Sequence, residues 1–152
     1  MPESQDDGAQ VRIESSLHTH ANMAAQRALG KLGGPLVAAN LDSFLSDSDC
    51  IRYPTEVIFD ETGLDAHQFA EPFFEDVGEE RRCRLHVHPR FAKHPEALLY
   101  FVAYMAAVIN YGKVVSTQLC EEFGAALVGM EREAFYQKIC ALYDAASENL
   151  HD

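Results

Sequence analysis

Hydrophobic and polar positions along this chain repeat in two periods, and the places where the period changes divide it into helices and strands. From Ala21 the chain is helical, with Met23, Ala24, Ala28 and Leu29 on a loose apolar stripe. Gly33 and Gly34 end that helix, and Pro35 suits the first turn of the next, where a missing N–H costs nothing. The second helix places Val37, Leu41, Phe44 and Leu45 at helical spacing and closes at the polar run Ser46 to Asp49. From Arg52 the period shortens. Thr55 to Phe59 (TEVIF) is a strand between Pro54 and the turn residues Asp60 to Gly63. Asp65 is placed to cap a short helix through His67 to Phe69, and Glu71 to Glu80 reads as an irregular connection with Phe73 and Phe74 tucked inward. A second strand spans 82–88, with Cys83, Leu85 and Val87 on one face and Arg84, His86 and His88 on the other.

The longest apolar run, Ala97 to Ile109, has thirteen residues. It belongs to a central helix over 94–111, opened by His94-Pro95-Glu96 and stopped by Asn110 and Gly112. Apolar on nearly every side, this helix must be covered by the rest of the chain. Ser116 or Thr117 caps a third major helix carrying Leu119, Phe123 and Leu127, and Gly129 breaks it. A last helix runs from Glu131 to Ala146 and buries Phe135, Ile139, Leu142 and Ala146. The pattern predicts an α+β fold: one mostly helical domain over 11–147 around the central helix, with a small sheet of strands 55–59 and 82–88. Residues 1–10 are expected as a solvated, disordered tail and 148–152 as a frayed one.

Composition narrows the function classes. With 152 residues, 47% of them apolar, the chain can bury one core. A formal net charge of −12 opposes general attraction to nucleic acids or anionic membranes. Thirteen apolar residues are too few to span a bilayer, which needs about 20. The opening MPESQDDGAQ has neither the basic start nor the apolar core of an export signal, so a cytoplasmic protein is expected. Cys50, Cys83, Cys120 and Cys140 are widely spaced, without a CxxC pair, and are expected as reduced thiols.

Ala125 and Gly129 stand four apart, followed by Met130, Phe135 and Ile139. With the run LVGMEREAFYQKI, these residues make the segment 113–143 resemble the helix-turn-helix of small prokaryotic antitoxin-type regulators. That resemblance implies a regulatory or protein-interaction module, a possible homodimer, in which the second helix reads DNA. The start of that helix carries Glu131 and Glu133 against Arg132, the wrong balance for phosphate contacts, and the same spacing arises wherever two helices meet at a tight turn.

Two site chemistries meet between the second strand and the central helix. His86 and His88, two apart on a strand, point the same way, and His94 follows at a helix start. With Glu56 or Asp60 from the neighbouring strand, or His67 from the short helix between the two strands, they compose a nitrogen-and-oxygen set suited to zinc or non-haem iron. As an enzyme, the protein would use that metal as a Lewis acid or a histidine as general base. Arg84, Arg90 and Lys93 lie in the same stretch, just before a helix N-terminus, and suit a small phosphate or carboxylate. Against both stands a solvated strand face whose arginines pair with the acids of Glu71 to Glu80. Tyr100, Tyr104 and Tyr111 share roughly one side of the central helix, as core rings with hydroxyls at a polar edge or as a pocket lining. His18 and His20 are expected to be solvent-exposed. No Gly-rich phosphate loop, HExxH or GxSxG motif is present.

Overall fold

A computed structural model describes residues 2–149. In chain order it has helices α1 (Pro2–Leu32) and α2 (Leu41–Ser46), strands β1 (Thr55–Phe59), β2 (Ala70–Val77) and β3 (Glu80–Val87), then helices α3 (Pro95–Tyr111), α4 (Thr117–Val128) and α5 (Arg132–Asn149). The α+β prediction holds, with the strand spanning 55–59 and the central helix where the periodicity puts them. Helix α1 starts at Pro2, so residues 2–10 are helical where a separate tail is expected. Met1 and 150–152, the remainder of the two expected tails, lie outside the described residues.

Helix α3 is central because most of its circumference is apolar. Phe101, Val102, Ala103, Ala106 and Ala107 are fully enclosed, and complete burial of one such large side chain contributes about 1.5–3 kcal/mol. Its neighbours are α4 and α5 on one side and the sheet on the other. Ser116 caps α4, its Oγ accepting the Leu119 N–H at 3.1 Å. The helix ends at Gly129, whose φ of +77° is the left-handed conformation that the C-terminus requires. Helix α1 lies against α4 through Ala21, Ala25 and Ala28, all at most 2% exposed. This face is rotated from the expected stripe: Met23 points outward at 62% exposure. Small side chains let two backbones approach, so alanine carries the contact where larger apolar residues are expected to.

The sheet has the order β1-β3-β2, with β3 parallel to β1 and antiparallel to β2. Cys83, Leu85 and Val87 of β3 are at most 1% exposed and face the helices, as the alternation predicts. The sequence reading has no strand over 70–77. Pro72 and the acids around it argue against a strand, yet β2 is an edge strand, where a residue without an N–H is tolerated. Phe73 is consequently turned outward, 38% exposed, while Phe74 is half-buried. Nor does Asp65 start a helix. The segment is a turn in which the Gln68 N–H donates to the Asp65 carbonyl at 3.1 Å, and Phe69 leaves it to stack on Phe101 at 4.4 Å.

Candidate functional site

The strand-face histidines are engaged in holding loops. His86 Nδ1 donates to the Thr62 carbonyl at 3.0 Å, and its ring lies on Phe73 at 4.6 Å between centroids. Gly63 fits beneath that same ring at φ +84°, a space that a Cβ would fill. The loop after β1 is therefore folded back over the outer face of the sheet. His88 caps the short turn Pro89–Phe91: its Nδ1 accepts the Arg90 N–H at 3.2 Å, leaving Nε2 to donate toward Glu61, 3.5 Å away. His94 occupies the N-cap position of α3, with no capping hydrogen bond from its side chain.

The expected oxygen donors are placed elsewhere. Asp60 accepts the Thr62 N–H at 2.9 Å as a turn residue, and that backbone bond holds its carboxyl below the ordinary range. Glu56 is exposed and stands opposite Arg84 in the parallel register. The side chain of His67 is exposed, and its carbonyl accepts from the Tyr143 hydroxyl at 3.2 Å. Among the described residues, no group of three or more histidine, cysteine, aspartate or glutamate side chains is placed to hold a metal ion.

The arginines of this stretch are also engaged. Arg84 pairs with Glu75 at 3.3 Å, and Arg82 with Glu80 at 3.2 Å. Arg90 spreads its guanidinium over the rings of Phe91 and Tyr143, at 4.9 and 4.7 Å, with Nε and Nη2 sealed from solvent and without a hydrogen-bond partner. Its hydrogen-bonding fork is turned into the rings. Lys93 is exposed. The four cysteines are free, with Cys50, Cys83 and Cys120 buried. Burial pushes the Cys83 and Cys120 thiols up to about 11, which removes them as nucleophiles near neutral pH.

A different site opens between α1, the segment Ser48–Arg52 and the last turn of α3. It is a cleft of about 910 Å³, within the range of roughly 300–1,000 Å³ common for small-ligand pockets. One wall is α1, presenting Ile13, Leu17 and Ala24 with His20, Arg12 and Arg27. The floor is Cys50 and Ile51, both nearly sealed at 3% and 2% exposure. The third side is Asn110 and Tyr111.

Hydrogen bonds fix this geometry. Asn110, buried at 7%, accepts the Arg52 N–H on Oδ1 at 2.8 Å, and its carbonyl accepts from Arg52 Nη1 at 3.1 Å. The Arg52 guanidinium also lies over Tyr53 at 5.1 Å. His20 Nδ1 and the Tyr111 hydroxyl share a 2.6 Å bond, with their rings edge to face. Burial raises the Tyr111 hydroxyl above its ordinary value, and the fields of Arg27 and Arg52 oppose that rise, so both cations act on the same oxygen.

Charge distinguishes the cleft from the rest of the molecule. Among the described residues the lining holds three arginines and one acidic residue, Asp49, which is itself engaged by Lys31 at 3.4 Å. In a chain of net charge −12 this is a local inversion of sign. The sequence reading misses the site because its residues come from three separated stretches. One signal was present: Ile13, Leu17, His20, Ala24 and Arg27 repeat at four and three residues, a second helical stripe on α1 beside the alanine stripe. His20 is exposed, as expected, yet meets Tyr111, while His18 is half-buried and meets Glu122 at 2.7 Å. Comparison with protein families, with curated proteins and with solved structures finds no match to this chain. Among the described residues no helix is long and apolar enough to cross a membrane.

Proposed function

We propose that this protein binds a small organic anion in the cleft between α1 and the C-terminal end of α3. The observation that carries this reading is the presence of Arg12, Arg27 and Arg52 on one otherwise largely apolar cleft of an acidic chain. Arg52 is held in place by Asn110, so part of the cationic lining is ordered before a ligand arrives. Ordering in advance lowers the entropy cost of binding. The chemistry is that of the anion site expected near Arg84, Arg90 and Lys93, carried here by other residues. A metal centre on His86 and His88 forms no part of the proposal, because both rings are engaged in loop contacts. Nor does a DNA-reading role for α5, whose first turns expose Glu131 and Glu133 beside Arg132.

A thermal-shift panel of carboxylates and phosphates tests the proposal. A ligand at ten times its Kd adds about 1.4 kcal/mol, which for a domain of this size raises Tm by roughly 3–6 °C. Arg27→Gln and Arg52→Gln, each weakening binding about tenfold, are expected to cut the shift to about a third while remaining folded. The proposal is wrong if no anion raises Tm, or if both variants respond as the wild type does.

A further inference from the structure

We infer that the ligand of this cleft is an amphipathic carboxylate, an anionic head on a linear apolar chain of about eight carbon atoms. This rests on the anion site proposed above and adds what is attached to the anion. Two of the three arginines, Arg27 and Arg52, line the cleft with Tyr111 and its partner His20 and act on the Tyr111 hydroxyl, whereas Arg12 stands beside Ile13 at the other end. Toward the N-terminal side of α1 the wall beyond His20 changes to Leu17 and Ile13, with Ser16 beside them. Cys50 and Ile51 form an apolar floor.

Length and exposure set the chain. Ile13 and His20 are seven positions apart on one helix, a rise of about 10 Å. A C–C bond of about 1.5 Å advances an extended chain by about 1.3 Å, so roughly eight carbons cover that distance. Ile13 is 54% exposed where such a chain would end, a large aliphatic surface that the fold itself leaves uncovered. A compact anion such as phosphate would leave Leu17 and Ile13 bare. An uncharged chain would gain nothing from the arginines of the cleft.

Each methylene covered on all sides raises affinity about 4-fold, and about 2-fold in an open cleft that covers half of it. The experiment titrates the full chain with acetate, hexanoate, octanoate and octanol, recording methyl carbon–proton NMR spectra. Ile13, Leu17, Ala24 and Ile51 report on the cleft, and Leu85 and Ala146 serve as remote controls. Octanoate is expected to bind roughly 4-fold tighter than hexanoate and at least about tenfold tighter than octanol, moving the four cleft residues and not the controls. Arg52→Gln should weaken octanoate about tenfold and leave octanol unchanged, and Arg27→Gln provides the same reading if the first variant does not fold. If acetate binds as tightly as octanoate, the chain is refuted and the anion site stands. If octanol matches octanoate, the anion site is refuted, and the amphipathic carboxylate with it; if no cleft methyl moves with any ligand, both the chain and the anion site are refuted.

Discussion

Replacing Gly124 with alanine sets two effects of opposite sign against each other inside the helical body. Alanine is about 1 kcal/mol better than glycine within a helix, so an open site in α4 would be stabilised. Gly124 is not open. A Cβ there would stand 2.5 Å from Phe135 Cζ, 2.7 Å from Phe135 Cε1 and 3.1 Å from the carbonyl carbon of Ala103. The Phe135 ring is fully buried, with the Tyr100 ring 5.7 Å away, so it has little room to retreat. The Ala103 contact is backbone of α3 and cannot move without the whole helix. Overpacking of this kind costs about 1–3 kcal/mol, and contact with both a sealed ring and a backbone places it toward the upper end. The net expectation is a loss of about 1–2 kcal/mol, or a Tm lower by roughly 2–8 °C, measured by calorimetry or urea denaturation. Combining Gly124→Ala with Phe135→Leu should cost clearly less than the two changes added together, with a coupling of about 1 kcal/mol. A variant as stable as the wild type, or strict additivity in the double variant, would show that these three helices are not in such close contact.

Other consequences are as direct. Asn110→Ala removes the acceptor of the Arg52 N–H and should cost about 1–2 kcal/mol by urea denaturation, with weaker anion binding as the Ser48–Arg52 wall loosens. His86→Ala should cost about 1 kcal/mol through its bond to Thr62 and its contact with Phe73, and hydrogen exchange should speed up over 60–64 and not in α3. Gly63→Ala, at a positive φ beneath the Phe73 ring, should disturb that same loop, and an unchanged exchange pattern there would contradict the packing. Thiol labelling at pH 7 should modify Cys140 first, with Cys83 and Cys120 protected by burial and by thiols near 11; rapid reaction of either buried thiol would contradict the core assignment.

Local rules account for much of this fold, and their failures are physical. Ser116, Gly129 and the apolar run of α3 each specify structure within a few residues, and those elements lie where the pattern predicts. Strand β2 is hidden because its pairing to β3 is non-local, and Pro72 speaks against a strand unless the edge position is already known. The rotation of α1 is hidden because alanines define its packed face only when α4 is placed beside them. The same holds for the site. His86 lies on β3, but His88 falls past the strand's end at Val87 and caps the turn Pro89–Phe91, and Thr62, Glu61 and the Arg90 backbone engage the two rings. Arg12, Arg27 and Arg52 are separated in sequence and become a cleft lining only after α1 folds across the end of α3.

The claim that the cleft, and not the histidine-bearing strand region, holds the ligand is tested most directly by calorimetric titration of octanoate into two double variants. Arg27→Gln with Arg52→Gln should weaken binding at least about tenfold, and His86→Ala with His88→Ala should leave the Kd within about 2-fold of the wild type. Loss of binding in the histidine variant with retention in the arginine variant would contradict the account.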